Sequence, residues 1–203
     1  MTQLLLATTN PGKVKELIPL LDGLGWDVCG LELFPQIPEA VEDGATFSEN
    51  AQIKALHFAA ATGLAVLADD SGLEVDALGG APGVHSARFA GEHGNAAANN
   101  ALLLERLAAA SDRSARFRCS LCLVEDGQVT LELSGSCEGT ILENSRGAEG
   151  FGYDPLFVPR GANTSGATFA EMTSAQKAGL SHRGQAMAAF ANELARRAAG
   201  APS

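Results

Sequence analysis

The chain has 203 residues, 46% of them hydrophobic and 19% charged, enough to bury a full core in one domain or two closely packed lobes. Its formal net charge of −10 argues against polymeric nucleic acid as a ligand, because such binding rests on neutralising many phosphates with Lys and Arg. No apolar run is long enough to span a bilayer, and Leu4 to Ala7 is too short for a signal-peptide core, so a cytoplasmic protein with no membrane partner is expected.

Leu4 to Ala7 is predicted as a short buried strand that feeds a helix from Gly12 to Leu21. Asn10 is a good N-cap and Pro11 a good first helical residue. Lys13 then falls in the first turn, where the helix dipole disfavours a cation unless an anion offsets it, and a phosphate fits that description. Asn-Pro-Gly is also ordinary turn chemistry. The segment is not a Walker P-loop: Ala7 stands five positions before Gly12, and Val14 follows Lys13.

Trp26 to Leu31 reads as a second strand, followed by a loop through Phe34, Pro35 and Pro38. Thr46-Phe47-Ser48-Glu49 is a capping box opening a helix that runs to Thr62 and stops at Gly63. On that helix Asn50, Lys54 and His57 share one face, beside the acids Glu42 and Asp43. Leu64 to Ala68 is predicted as a buried strand ending at Asp69-Asp70-Ser71-Gly72. The alternation of strand and helix points to an α/β core with parallel members, whose ligands lie beyond the carboxyl ends of the strands. Both Thr8 to Lys13 and Asp69 to Ser71 fall at such ends.

The second half opens with a helix from Asn95 to Ala110, then two alternating strands, Ala115 to Glu125 and Gln128 to Glu138, joined through the hairpin signal Asp126-Gly127. A mixed sheet or a second lobe of antiparallel strands follows from this. A Gly-rich loop (Gly147, Gly150, Gly152) precedes the short segment Pro155 to Val158, and the chain closes with a helix from Ser181 to Ala198. Residues 1–199 are expected to form a single domain of two lobes, with 200–203 a disordered tail. Cys119 and Cys122 have the C-x-x-C spacing of zinc and redox sites, but on a strand they point to opposite faces, so reduced, partly buried thiols are expected.

Three constellations could carry chemistry. Adjacent carboxylates at Asp69 and Asp70 point to opposite sides of an extended chain, so one can face a site while the other holds the loop. With Glu42 they offer the hard oxygen ligands that suit Mg²⁺, alongside water and phosphate oxygens. Ser181-His182-Arg183-Gly184 places cations in a first helical turn for the second time, and a local rule broken twice is characteristic of functional sites. Phe151-Gly152-Tyr153-Asp154 puts two aromatics and an acid in a Gly-rich loop, where they could stack on a flat base and accept its ring N–H, or plug the edge of the core.

Taken in order, Thr8-Thr9-Asn10-Pro11-Gly12-Lys13, Thr46-Phe47-Ser48-Glu49-Asn50-Ala51, Ala68-Asp69-Asp70-Ser71-Gly72-Leu73, Gly79-Gly80-Ala81-Pro82-Gly83, Ser86-Ala87-Arg88, Phe151-Gly152-Tyr153-Asp154-Pro155 and Ser181-His182-Arg183-Gly184 resemble the inosine triphosphate pyrophosphatase family, also called XTP/dITP diphosphatases. The resemblance spans Leu4 to Leu194. It implies Mg²⁺-dependent hydrolysis of ITP, dITP and XTP to the monophosphate and pyrophosphate, an α/β fold of mixed sheet and flanking helices with a cleft between two lobes, and a homodimer. By the same resemblance Thr8, Thr9, Asn10, Pro11, Gly12, Lys13 and Lys54 would hold the triphosphate. Asp70 would accept a proton and bind metal, Glu42 would be a second metal ligand, and Ser71 would touch substrate. Phe151, Gly152, Tyr153, Asp154, Lys177, His182 and Arg183 would form the nucleobase pocket. Thr9 stands where many members have Gly, and Asp43 where Thr is common; neither removes a group the chemistry requires. Two alternatives are a pyrophosphatase for other modified nucleotides and a regulatory module that binds nucleotide without turnover. The second would be expected to lack the acids, which are present at Glu42, Asp69 and Asp70.

Overall fold

The computed structural model describes residues 2–199, so the expected tail at 200–203 lies outside the described residues. The elements in chain order are β1 (Thr2–Ala7), α1 (Pro11–Leu21), β2 (Trp26–Gly30), α2 (Phe47–Thr62), β3 (Ala65–Val75), α3 (Ala96–Arg106), β4 (Ser114–Glu125), β5 (Gln128–Ile141), β6 (Phe157–Pro159), α4 (Ser174–Leu180) and α5 (His182–Ala198), with short 3₁₀ turns between some of them. One six-stranded sheet has the order β2-β1-β3-β4-β5-β6. β1 runs parallel to both β2 and β3, and β6 runs antiparallel to β5, which makes the sheet mixed and the fold α/β. No helix among the described residues is long and apolar enough to cross a membrane.

The chain divides into two compact units. Among the described residues the first comprises 2–70, 119–135 and 183–199, and its core follows from strand alternation. Leu4, Leu6, Leu67, Cys119, Leu121 and Leu123 face α1 and α5, meeting Leu17, Leu21, Met187 and Phe190. Leu5, Ala7, Val66, Ala68, Cys122 and Val124 face α2, meeting Ala51, Ala55 and Phe58. Strands buried on both faces read as continuous apolar runs, which is why Leu4 to Ala7 shows no polar alternation. Cys119 and Cys122 lie in different clusters, as their spacing on a strand requires, and all four cysteines are free. Burial pushes the Cys122 and Cys137 thiols up to about 12, so they stay protonated and unreactive.

The second unit comprises residues 71–118 and 136–182. Leu73, Val75, Leu103, Phe117, Phe157 and Phe169 form its core with Tyr153 and Met172. Phe117 and Phe157 meet edge to face at 4.7 Å between ring centroids.

The larger departures from the sequence expectation are four. β3 does not stop at Ala68 but continues through both acids to Val75, because the Asp69 carboxylate is neutralised in place and can remain in a buried strand. β5 extends past Glu138 to Ile141 and pairs there with Phe157 of β6. α3 ends at Arg106 rather than Ala110: Leu107 leaves the helix with φ −93° and ψ 4° and is fully buried, while Arg113 takes its carbonyl at 3.1 Å. α4 was not expected, although Thr173 and Gln176 spell its capping box. Ser181, with ψ 157°, separates it from α5.

The helix that carries Asn50 and Lys54 is held at both ends. Thr46 Oγ1 accepts from the Glu49 amide at 3.2 Å, Glu49 Oε2 accepts from the Thr46 amide at 3.1 Å, and Gly63 closes the helix at φ 70°. Replacing Thr46 by Ala removes one half of this box and is expected to lower stability by about 1 kcal/mol, read as a shift in the urea unfolding midpoint at unchanged slope.

Candidate active site

In the first unit the β1/β3 register pairs Ala7 with Ala68, so Thr8 and Asp69 are the next residues of each strand and the start of α1 meets the acid pair. Asn10 caps α1 with its side-chain oxygen, accepting from Gly12 N at 2.9 Å and Lys13 N at 3.2 Å. Asn10 N in turn donates to Thr8 Oγ1 at 3.2 Å. The amides of Asn10, Gly12 and Lys13 are therefore satisfied within the turn.

Alternation along β3 sends the two acids to opposite faces. Asp69 shares the parity of Leu67 and meets α1 and α5; Asp70 shares that of Ala68 and meets α2. Lys13 Nζ lies 2.9 Å from Asp69 Oδ1. Arg183 reaches Asp69 Oδ2 with Nη2 at 3.1 Å and Nε at 3.3 Å, and its Nη1 pairs with Glu16. The Cys119 thiol also approaches Oδ2, at 3.7 Å. Asp69 is thus an internal anion shared by both cationic helix starts, and Glu16 adds a second at Arg183. Burial alone would raise the Asp69 pKa, but Lys13, Arg183 and Lys54 outweigh it and hold the carboxyl well below the usual range.

Lys54 Nζ donates to the main-chain carbonyl of Asp69 at 3.0 Å, and Lys13 Nζ approaches the same oxygen at 3.4 Å. Two ammonium groups thereby converge on one neutral acceptor. Lys54 also pairs with Glu42 at 3.1 Å. Asp70 Oδ2 accepts from Asn50 Nδ2 at 3.2 Å, and the Asn50 amide is oriented by Gly44 N, which donates to its Oδ1 at 2.8 Å. Burial raises the Asp70 pKa; Lys13 and Lys54 oppose this, while Glu42 and Asp69 add to it. Adjacent carboxylates are therefore driven apart: cations hold the Asp69 pKa low, while burial raises that of Asp70.

Among the described residues no group of three or more His, Cys, Asp and Glu side chains could enclose a metal ion. Glu42 and Asp70 nevertheless interact electrostatically, and two carboxylates suit an ion that keeps water and takes phosphate oxygens, as Mg²⁺ does. His57, expected on the same helix face as Lys54, instead contacts the Pro38 carbonyl at 2.8 Å and joins neither acid.

In the second unit Asp154 organises its loop, accepting from Phe151 N at 2.8 Å and from Lys177 Nζ at 2.5 Å. Lys177 Nζ lies 4.9 Å from the centre of the Phe151 ring. Asn100 Nδ2 donates to the Gly152 carbonyl at 3.0 Å. The two aromatics separate in role. Phe151 is half-buried, whereas Tyr153 is 4% exposed, packs in the core and donates its hydroxyl to the Ser86 carbonyl at 2.9 Å. His182 is buried and stacks on Phe117 at 4.8 Å with planes 11° apart. Ser71 is half-buried in β3, directly after Asp70.

Of the residues singled out by sequence, Lys13, Lys54 and Asp70 lie in the first unit and Asp154 and Lys177 in the second, while Arg183, expected beside the base, contacts Asp69 and Glu16. Sequence reasoning did not find Glu16, Asn100 or Ser86 as partners. Glu16 alone carried a signal, lying one helical turn after Lys13.

Residues 4–193 match the Ham1 family. A dITP/XTP pyrophosphatase from an Exiguobacterium species is 53% identical over 192 residues, covering 95% of this chain and 96% of that protein. The dITP/XTP pyrophosphatase of Geobacter sulfurreducens is 48% identical over 196 residues, covering 96% and 97%. Among solved structures, a HAM1 protein from Coxiella burnetii superposes with a TM-score of 0.86 at 41% identity, covering 97% of this chain and 100% of its own.

Replacing Asp69 by Asn leaves Arg183, 1% exposed, short of its compensating charge. The variant is expected to lose about 3–5 kcal/mol at neutral pH in chemical denaturation. A carboxyl whose folded pKa lies below its unfolded value stabilises fully above about 3.9 and progressively less below it, so the gap between wild type and variant should narrow as pH falls below about 4.

Proposed function

We propose that this chain, which belongs to the Ham1 family, hydrolyses dITP, XTP and ITP to the nucleoside monophosphate and pyrophosphate. The observation that carries this reading is the division of labour between neighbouring acids. Asp69 is saturated by cations and presents its carbonyl to Lys13 and Lys54; Asp70 holds one neutral donor and has a raised pKa.

Lys13 and Lys54 supply the positive charge that meets the triphosphate, with the Thr8 to Gly12 turn beside them. An acidic protein can thereby bind a polyanion with few cations, because those few are already oriented. Asp70 accepts the proton of the attacking water as the anhydride bond between the α and β phosphates breaks and pyrophosphate leaves. Glu42 and Asp70 would hold Mg²⁺, which would supply charge neutralisation at the phosphates.

The base is assigned to the Phe151 to Asp154 loop, Lys177 and His182, with Phe151 as the stacking surface. A 6-oxo purine presents an acceptor where adenine presents an amino donor. A buried donor that pairs with the oxo group is left unpaired against adenine, which penalises ATP. Ser71 is assigned to substrate. A homodimer and a cytoplasmic setting belong to the same proposal.

With Mg²⁺ and ITP the protein should release pyrophosphate; orthophosphate as the product would overturn the assignment. Asp70→Asn is expected to slow the reaction at least about a hundredfold while the circular dichroism spectrum is retained, and full activity would remove Asp70 from its role. Because its pKa is raised, kcat/KM should fall with acidification at a pH above the ordinary carboxylate range of about 3.9.

A further inference from the structure

Ser86 stands in the 3₁₀ turn Gly83–Arg88, part of a motif that the site above leaves without a role. It is 7% exposed and makes hydrogen bonds with both its side chain and its main chain. Its Oγ accepts from the Leu73 amide at 2.9 Å and donates to the Gly83 carbonyl at 2.6 Å. Its carbonyl accepts from the Tyr153 hydroxyl at 2.9 Å and from the Asn99 side-chain amide at 3.4 Å. Leu73 lies two residues beyond Ser71 on β3, and Tyr153 lies between Gly152 and Asp154. A single residue therefore joins the strand that continues from the acids to the loop assigned to the base.

The hydroxyl of Tyr153 is not required for packing, since Phe would fill the same space in the core. Its ring cannot stack on a base, so the function left to the side chain is to hold the loop. Burial keeps the phenol protonated and a donor throughout the neutral range.

We infer that Ser86 is a positioning residue for base selection: through Tyr153 it fixes the loop at 151–154 to β3, so that the loop cannot move to accommodate a wrong base. The inference rests on the proposed pyrophosphatase reading. Discrimination by an unpaired donor requires a site that does not relax, because relaxation lets the donor find another partner or water. Freeing the loop should therefore improve the relative handling of wrong bases.

The test measures kcat/KM of the full chain with Mg²⁺ on ITP, GTP and ATP for wild type, Tyr153→Phe, Ser86→Ala and the double variant. A ratio of kcat/KM values does not depend on the fraction of active enzyme, so partial misfolding leaves it unmoved. Preference for ITP is expected to fall about three- to tenfold in each single variant, the scale of one hydrogen bond, and no further in the double variant. Unchanged ratios, or losses that multiply in the double variant, would overturn the strut. Amide hydrogen exchange of residues 150–155 without nucleotide separates this inference from the reading it rests on. Faster exchange in both single variants supports the strut even if wild type released no pyrophosphate, and unaltered exchange overturns it even if wild type is fully active.

Discussion

A carboxylate buried in the middle of a strand is the constraint around which the first unit is arranged. Asp69 is 1% exposed, and an ion so placed persists only if opposite charges and hydrogen-bond donors meet it. Lys13 from α1 and Arg183 from α5 meet its two oxygens, and Lys54 from α2 meets its carbonyl. Three helices are thus drawn to one point on β3. Lys13 and Lys54 are held in place by these contacts, which restrict side chains that are otherwise flexible. A pair of this kind contributes little net stability over an apolar substitute; its value here lies in orientation.

The contrast with Asp70 follows from one peptide unit of displacement. Successive side chains on a strand leave by opposite faces, so the neighbouring acid enters a different environment, beside Asn50 and near Glu42, with fewer compensating charges. The same backbone thereby lowers the pKa of one carboxylate and leaves that of its neighbour raised. Neither shift needs an unusual conformation.

Much of this was legible locally. The caps at Asn10 and Thr46, the stop at Gly63 and the turn at Asp126-Gly127 rest on short-range chemistry, and each appears where its residues put it; both turn residues have positive φ, 50° and 73°. The odd and even faces of β1 also followed from alternation. What escaped were features set by residues distant in sequence. β3 runs through its acids because of Lys13 and Arg183, the second more than a hundred positions away. α3 stops early because Arg113 and the core claim Leu107, which helix propensity does not register. Tyr153 and Phe151 look alike in a Gly-rich loop, and the Ser86 carbonyl distinguishes the core residue from the half-buried one.

The first unit is assembled from three separate stretches of chain, the last beginning at Arg183. During synthesis from the N-terminus, β1, β2 and β3 emerge long before the helix that supplies Phe190 to their core and a guanidinium to Asp69. The second unit, drawn from 71–118 and 136–182, is complete by then. Such late-arriving contacts carry a high loop-closure cost and slow the final step. Until α5 is released from the ribosome, the face of the nascent sheet that it shares with α1 stays only partly covered, and the protein's exposure to aggregation is concentrated in that interval.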